Sequence, residues 1–447
     1  MRALQCAAHV ALRYLADFKH LQRGDINRRL RYVIPRVNAA AHQTFREHSM
    51  RINDSALADP NQLHLPVSSP PRLRVAIVTD FPRDPARPVG GVEAVSVNLV
   101  RALSELRDLD VHVVTFDRTI GHIEESRWHD ATVHRLPHSG QSMLVDAIGP
   151  GRHAVREFLT TLAPDVIHAH DVYGLMVRNL PMPRVFTIHG FIHADTFLSG
   201  TRFAIARGWI WRRIETAGWA EQPHIVSISP YVRERLAGIA RGVIHDIDNP
   251  IAPELFDIER NETPGTIFSA ALLTHRKNPL ALVEALARMR VAGVDARLRL
   301  AGSLADAAYV ARLRRRIGEL GLDSHVALLG SISSEQVRSE LATASVFALV
   351  SFEEGSPMGI EEAMAVGVPV VTSNRCGMPY MVRDGESGFL VDPHDAEDIA
   401  GRLTRVLSDS QLRSAMSVKS REIARDRFHP VTVAERTREV YLRALGR

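Results

Sequence analysis

Two series of short apolar segments, most of them followed by a stretch of helical periodicity, constrain this chain more than any other feature. The first series runs "RLRVAIVTD", "VHVVTF", "DVIHAH", "RVFTIH" and "HIVSIS"; the second runs "TIFSA", "ARLRLAG", "HVALLG", "SVFALV" and "VPVVTS". Apolar strands alternating with helices predict a parallel sheet covered on both faces, since a strand buried on both sides has no polar face to alternate with. A chain of 447 residues exceeds what one core normally organises. We therefore read an α/β protein of two Rossmann-like, doubly wound domains facing a cleft, with an N-terminal helical extension. Residues 1–72 form a basic helical extension and linker, 73–250 the first domain, 251–264 the interdomain linker and 265–427 the second domain. Residues 428–447 read as a terminal helix expected to return to the first domain.

Composition narrows the functional classes. Apolar residues make up 45% of the chain and charged residues 24%, ordinary for a globular protein. No apolar run reaches the roughly eighteen residues that a spanning helix needs. The opening "MRALQCAAHVALRYLADF" matches a signal peptide only faintly, because Gln5, His9 and Arg13 interrupt it. Cys6 and Cys376 supply neither a disulfide framework nor a thiolate metal cluster, which fits a reducing cytoplasm. Up to Arg72 there are 11 basic against 5 acidic residues, while the remaining 44 and 46 nearly balance. A neutral body argues against nucleic-acid binding. The basic excess beside the Leu4–Leu15 apolar stripe suits peripheral contact of residues 1–52 with the inner face of a membrane or an acidic partner; packing on the body is the alternative.

In doubly wound sheets, ligands bind beyond the carboxyl ends of the strands, and the notable polar residues gather there. Gly90 and Gly91 follow the first strand and open a helix, where backbone amides can approach an anion; a plain turn is the simpler reading. His168, His170, Asp171, His189 and His193 lie at or beyond two strand ends. Histidines with nearby acids could hold a metal, but no third ligand arrives at a fixed helical spacing, and packing or hydrogen bonding is the simpler reading of His168 and His170. His189, before Gly190 at a strand terminus, is better placed to meet a substrate. Arg276 and Lys277 precede a helix beginning near Pro279. Adjacent cations repel each other and the helix dipole, so the pair is expected to be slightly destabilising until an anion binds.

The stretch "SFEEGSPMGIEEAMAVGVPVVTS" places Glu361 and Glu362 in a helix that is otherwise almost wholly apolar. Such a helix is expected inside the protein, where an unpaired carboxylate is costly. Ser356 can cap it and Pro357 suits its first turn, leaving the Met358 and Gly359 amides to face a phosphate. With Ile360, Ala363, Met364 and Gly367 on the packing face, Glu362 points away from it and could accept two hydrogen bonds from a ribose diol. Glu354, eight residues earlier, lies within reach of a sugar. Complementing the helix dipole, worth roughly 0.3–1 kcal/mol, is the plainer role for the helical acids.

Glu354 and Glu362 in "EEGSPMGIEEAMAVGVPVV" match the E-x7-E signature of the retaining GT-B glycosyltransferases of family 4, which the chain resembles over about residues 73–445. The Gly90-Gly91 loop, "DVIHAHD", "TIHG", "SISPYVRERL", "DNPI" and "RKNPLALVEAL" fall in the family's order. The resemblance implies transfer of a hexose from a nucleotide-diphosphate sugar to a carbohydrate or lipid-linked acceptor. Carried over by position, Arg276 and Lys277 would neutralise the diphosphate, Glu362 would hold the ribose, Glu354 would contact the transferred sugar and His189 would lie near the reacting centre. The Gly91 amide would approach a phosphate, and the backbone of Ser331 and Ile332 in "GSIS" would meet the base. No divalent metal or other cofactor is implied, in keeping with the lack of a D-x-D pair in these motifs. The chain departs from the pattern at Ala271-Leu272-Leu273, where many members carry Gly-Arg-Leu, and in its N-terminal extension. A sugar-nucleotide epimerase of the same fold, a metal-dependent hydrolase using His168 and His170, and a non-enzymatic sugar-binding protein are the alternatives.

Overall fold

The computed structural model describes residues 72–138, 140, 143–198 and 203–447. The expectations for residues 1–71 lie outside this range. Two α/β domains each enclose a twisted sheet. The first sheet holds β1 (Leu73–Val78), β2 (Leu109–Asp117), β3 (Glu124–Trp128), β4 (Ala131–Pro137), β5 (Val166–His170), β6 (Arg184–Ile188), β7 (His224–Ser227) and β8 (Val243–Asp246). Their spatial order is β3-β4-β2-β1-β5-β6-β7-β8, parallel except for the β3–β4 hairpin pairing. The second sheet is parallel throughout and holds β9 (Thr266–Ala270), β10 (Arg297–Ala301), β11 (Val326–Gly330), β12 (Val346–Leu349), β13 (Val370–Ser373) and β14 (Gly388–Val391). Its order, β11-β10-β9-β12-β13-β14, reverses direction beside β9, so the crevice at the end of β9 is a topological switch point.

The helices that matter for the site are α1 (Gly91–Ser104), α2 (Ile192–Leu198), α3 (Ala204–Ala220) and α4 (Pro230–Leu236) in the first domain. In the second they are α5 (Pro279–Val291), α6 (Ser334–Thr343), α7 (Met358–Val366) and α8 (Ser410–Arg427); α9 (Pro430–Ala444) closes the chain.

Strand β1 shows why both sheet faces are covered. Val75 and Ile77 enter the core on the face of α1 and α9, while Ala76 and Val78 enter the opposite one, and all four are fully buried. Burying one such valine or isoleucine stabilises by about 1.5–3 kcal/mol, so neither face can be left to water. The chain crosses between domains twice. Residues 247–252 carry it forward and residues 427–430 carry it back, and Arg427 bonds Asp248 at 2.6 Å where the crossings meet. Helix α9 then packs on α1, and its Tyr441 hydroxyl lies 2.7 Å from His168 Nδ1 inside the first domain.

Candidate functional site

The loop from Glu353 to Ser356 follows β12 and stitches the domains together. From its own domain, Arg276 donates to the Glu353 carbonyl at 2.8 Å. From the first domain, Ser229 Oγ donates to the Gly355 carbonyl at 2.7 Å and the Tyr231 hydroxyl to Glu353 at 3.1 Å. A Cβ added at Gly355 would lie 3.2 Å from the carbonyl oxygen of His189, so glycine lets the two domains touch here. Glu354 is thereby held in a buried position.

Its carboxylate sits between both expected cations. Arg276 Nη1 is 3.3 Å from one oxygen, and Lys277 Nζ pairs with the other. The expectation that these cations stand unpaired and destabilise the ligand-free chain is therefore corrected: Glu354 pairs with both and offsets one of their two charges. The loop geometry that aims them follows from Asn278, which adopts φ 54°, a left-handed conformation that asparagine tolerates better than most residues. Its carboxamide donates to the carbonyls of Val350 and Pro393, anchoring the loop to the end of β12.

Helix α7 corrects two further expectations. Its N-cap is Pro357, and Ser356 does not cap it; instead Ser356 Oγ donates to Glu361 Oε1 at 2.7 Å. The geometric cause is that Glu361, not Glu362, is the fully buried acid and needs an internal donor. Burial pushes the Glu361 carboxyl well above the usual range, the Ser356 hydrogen bond opposing only in part. Met358 and Gly359 form the first turn of α7, close to the Ala270 carbonyl at the end of β9.

Glu362 is half-buried and faces a cleft of about 600 Å³ between the domains. Opposite it stand Ala94, Val97, Asn98 and Arg101 of α1; Arg338 of α6 shares its side. Desolvation raises the Glu362 carboxyl to about 7, with Arg338 pulling the other way. The chain reaches this cleft two residues beyond the expected Ser331 and Ile332. Ser333 and Ser334 line it, whereas Ile332 packs against the second domain's core and Ser331 is exposed. The reason is the helix start: Ser333 caps α6 in a reciprocal capping box with Gln336, which turns the preceding isoleucine inward.

Gly90 and Gly91 stand at the N-terminus of α1. Gly90 has φ 92°, a conformation reserved in practice for glycine, and a Cβ on either residue would meet open space. His189 joins the Glu354 loop from the first domain. Its Nε2 lies 3.1 Å from His170 Nδ1, and its amide donates to Asp171 at 2.8 Å. Burial pushes the His189 imidazole down to about 4, a neighbouring hydrogen bond to Asn249 opposing it, so the ring is neutral near pH 7. His168 spends both ring nitrogens on Tyr441 and Thr187, the packed reading of that residue. His193 is bound to Glu215. Among the described residues no cluster of His, Cys, Asp and Glu has the arrangement of a metal site. Arg338 and Asn249 escaped the sequence reading. Arg338 sits on a polar helix with nothing to distinguish it, while Asn249 lies in the "DNPI" motif, whose spacing assigns it no role.

Two facing doubly wound domains, a closing C-terminal helix and a cleft at the carboxyl ends of the strands define the GT-B fold. Residues 89–255 match the family model described as Glycosyltransferase Family 4, and residues 252–423 match that of Glycosyl transferases group 1. The chain belongs to this glycosyltransferase family. It is 23% identical over 347 residues to an uncharacterized glycosyltransferase of Methanocaldococcus jannaschii, covering 75% of this chain and 90% of that protein. It is 24% identical over 381 residues to the GDP-mannose:cellobiosyl-diphosphopolyprenol alpha-mannosyltransferase of Komagataeibacter xylinus, covering 80% and 91%. Among solved structures, sucrose-phosphate synthase of Thermosynechococcus elongatus superposes with a TM-score of 0.72 at 20% identity, over 84% of this chain and all of that one. No described helix is long and apolar enough to cross a membrane.

Proposed function

We propose that the protein is a retaining hexosyltransferase that moves a sugar from a nucleotide diphosphate to a carbohydrate or lipid-linked acceptor. The observation that carries this reading is the cluster of Arg276, Lys277 and Glu354 just ahead of α7, with Glu362 on the cleft side of the same helix. Along the chain come Glu354, the amides of Met358 and Gly359, and Glu362. That order repeats sugar, diphosphate and ribose in the donor. Met358 and Glu362 are separated by about 6 Å along the axis at 1.5 Å per residue, a suitable interval for a phosphate group between them.

When the donor enters, its diphosphate draws Arg276 and Lys277 toward its own oxygens and frees Glu354 to accept hydrogen bonds from the sugar hydroxyls. The bond between the anomeric carbon and the phosphate oxygen breaks, leaving negative charge that the two cations and the amides of α1 and α7 stabilise. The acceptor oxygen bonds the anomeric carbon on the same face, and its proton passes to the departing phosphate oxygen. His189, being neutral, supplies a hydrogen bond and no charge. The reading assigns Glu362 to the ribose, Gly90 and Gly91 to the approach of a phosphate, and the stretch from Ser331 to Ser334 to the base. The cytoplasm, where nucleotide sugars are made, suits such an enzyme.

Two results test this reading. Because two side-chain cations meet the diphosphate, turnover is expected to persist in excess EDTA; loss of turnover restored by added magnesium would contradict it. Second, Glu362 binds a diol only as a carboxylate acceptor. Donor affinity should rise as pH climbs through about 7, with a proton released on binding. Glu362→Gln should weaken binding by roughly 1–3 kcal/mol at high pH and flatten that pH dependence. A nucleotide sugar is the probe, since its diphosphate does not itself titrate near neutrality. An unchanged pH profile in Glu362→Gln would remove Glu362 from the ribose site.

A further inference from the structure

Helix α3 is apolar on two sides. Its inward side is accounted for by packing: Ala204, Gly208, Trp211 and Trp219 are buried. Its outward side should be polar if water faces it. Instead Phe203, Ile205, Trp209 and Ile210 are 66%, 71%, 53% and 51% exposed. Between residues 203 and 214 there is no Asp or Glu, while Arg212 and Arg213 are exposed on the same surface. At 100° per residue, Ile205, Trp209 and Arg212 share one line along the helix, and Ile210 and Arg213 the next. The Arg212 guanidinium lies over the Trp209 ring, 5.2 Å from its centroid, so a cation sits beside the exposed aromatic.

The topology gives this face a position. Strand β6 ends at Ile188 on the cleft side of the sheet, and α2 follows. Helix α3 then returns the chain to the start of β7 at His224. The exposed apolar residues fall in its first turns, toward the cleft side of the first domain.

We propose that the outward face of α3 docks the first domain on an anionic bilayer surface. Aromatic side chains favour the headgroup boundary, aliphatic ones gain by entering it, and arginines pair with lipid phosphates. A second copy of this chain fits less well, because a two-fold contact would set these same arginines against each other. The surface differs from residues 1–52, whose basic stripe suggested membrane contact from sequence alone.

The test uses the full chain without donor, so its outcome is independent of the sugar-transfer reading. Wild-type protein is sedimented with vesicles of phosphatidylcholine alone and of phosphatidylcholine with phosphatidylglycerol, beside the Trp209→Glu/Ile210→Glu variant. The wild type should pellet with the anionic vesicles only, and the variant should bind at least about tenfold less with its melting temperature retained. Arg212→Gln/Arg213→Gln, which keeps every apolar contact, should also lose binding and cover the case of a poorly folded first variant. Equal pelleting of wild type and both variants places binding elsewhere in the chain and overturns the proposal. So does failure of the wild type to pellet, or a dimer that the substitutions dissociate without vesicle binding.

Discussion

Lys277→Ala is expected to lower kcat/KM by about 10²-fold or more and to lower the melting temperature as well. The first effect follows from the proposed chemistry. Charge on the leaving diphosphate grows toward the transition state, and a preorganised cation in a water-poor site is worth about this much. The second follows from the ligand-free structure, where Glu354 is buried and shares its carboxylate between Arg276 and Lys277. Lys277→Ala takes away one of the buried carboxylate's two cationic partners, but Arg276 still balances its charge. The loss therefore stays below about 3 kcal/mol, the lower end for a buried pair broken outright. Arg276→Lys should also cost more than charge conservation suggests, since a planar fork grips phosphate oxygens in pairs and an ammonium cannot. Steady-state kinetics with the identified donor and a thermal melt decide the matter together. Normal turnover would return these cations to a structural role.

Glu354→Gln carries the second large effect, and its signature has two signs. Turnover should fall by about 10²–10³-fold, because the sugar loses a charged acceptor positioned at the reacting end. Affinity for the bare nucleotide diphosphate should hold or increase, because a carboxylate competing for Arg276 and Lys277 has gone. Calorimetric titration with nucleotide diphosphate separates this from general damage, which would weaken both. Lys277→Ala weakens the same ligand. The opposed directions distinguish an anion site with a built-in counterion from a purely structural salt bridge.

The ten strands read from the sequence are those in which apolar residues predominate despite single polar interruptions such as His112 or Arg299, and each appears in one of the two sheets. Four were not legible. Strand β4 is buried, but its Thr132, His134 and Arg135 hid the apolar pattern; Arg135 is tolerated there because it donates to the carbonyls of Phe81 and Pro82. Strand β3, "EESRW", pairs as a polar edge; at the other edges β8, "VIHD", is half polar and β14, "GFLV", opens on a glycine. Within the site, spacing puts Glu354 in a strand-end loop within reach of a sugar and Glu362 on the side of its helix away from the packing face. It could not assign the internal hydroxyl that serves Glu361, because helical periodicity says which residues share a face and not which acid meets a donor five residues back. Nor could it show that Glu354 already binds the cations, since that contact joins residues 77 apart through two loops. Arg338 was equally silent, its place in the cleft being set by the packing of α6.

The most direct measurement is turnover of purified protein across a panel of nucleotide-diphosphate sugars with candidate carbohydrate and lipid-linked acceptors. Release of nucleotide diphosphate is followed, and the anomeric configuration of the product is read by NMR. The account predicts that a nucleotide sugar is consumed, that the new linkage keeps the donor's configuration, and that Lys277→Ala abolishes most of the activity. An inverted product, or full activity in Lys277→Ala, would contradict it.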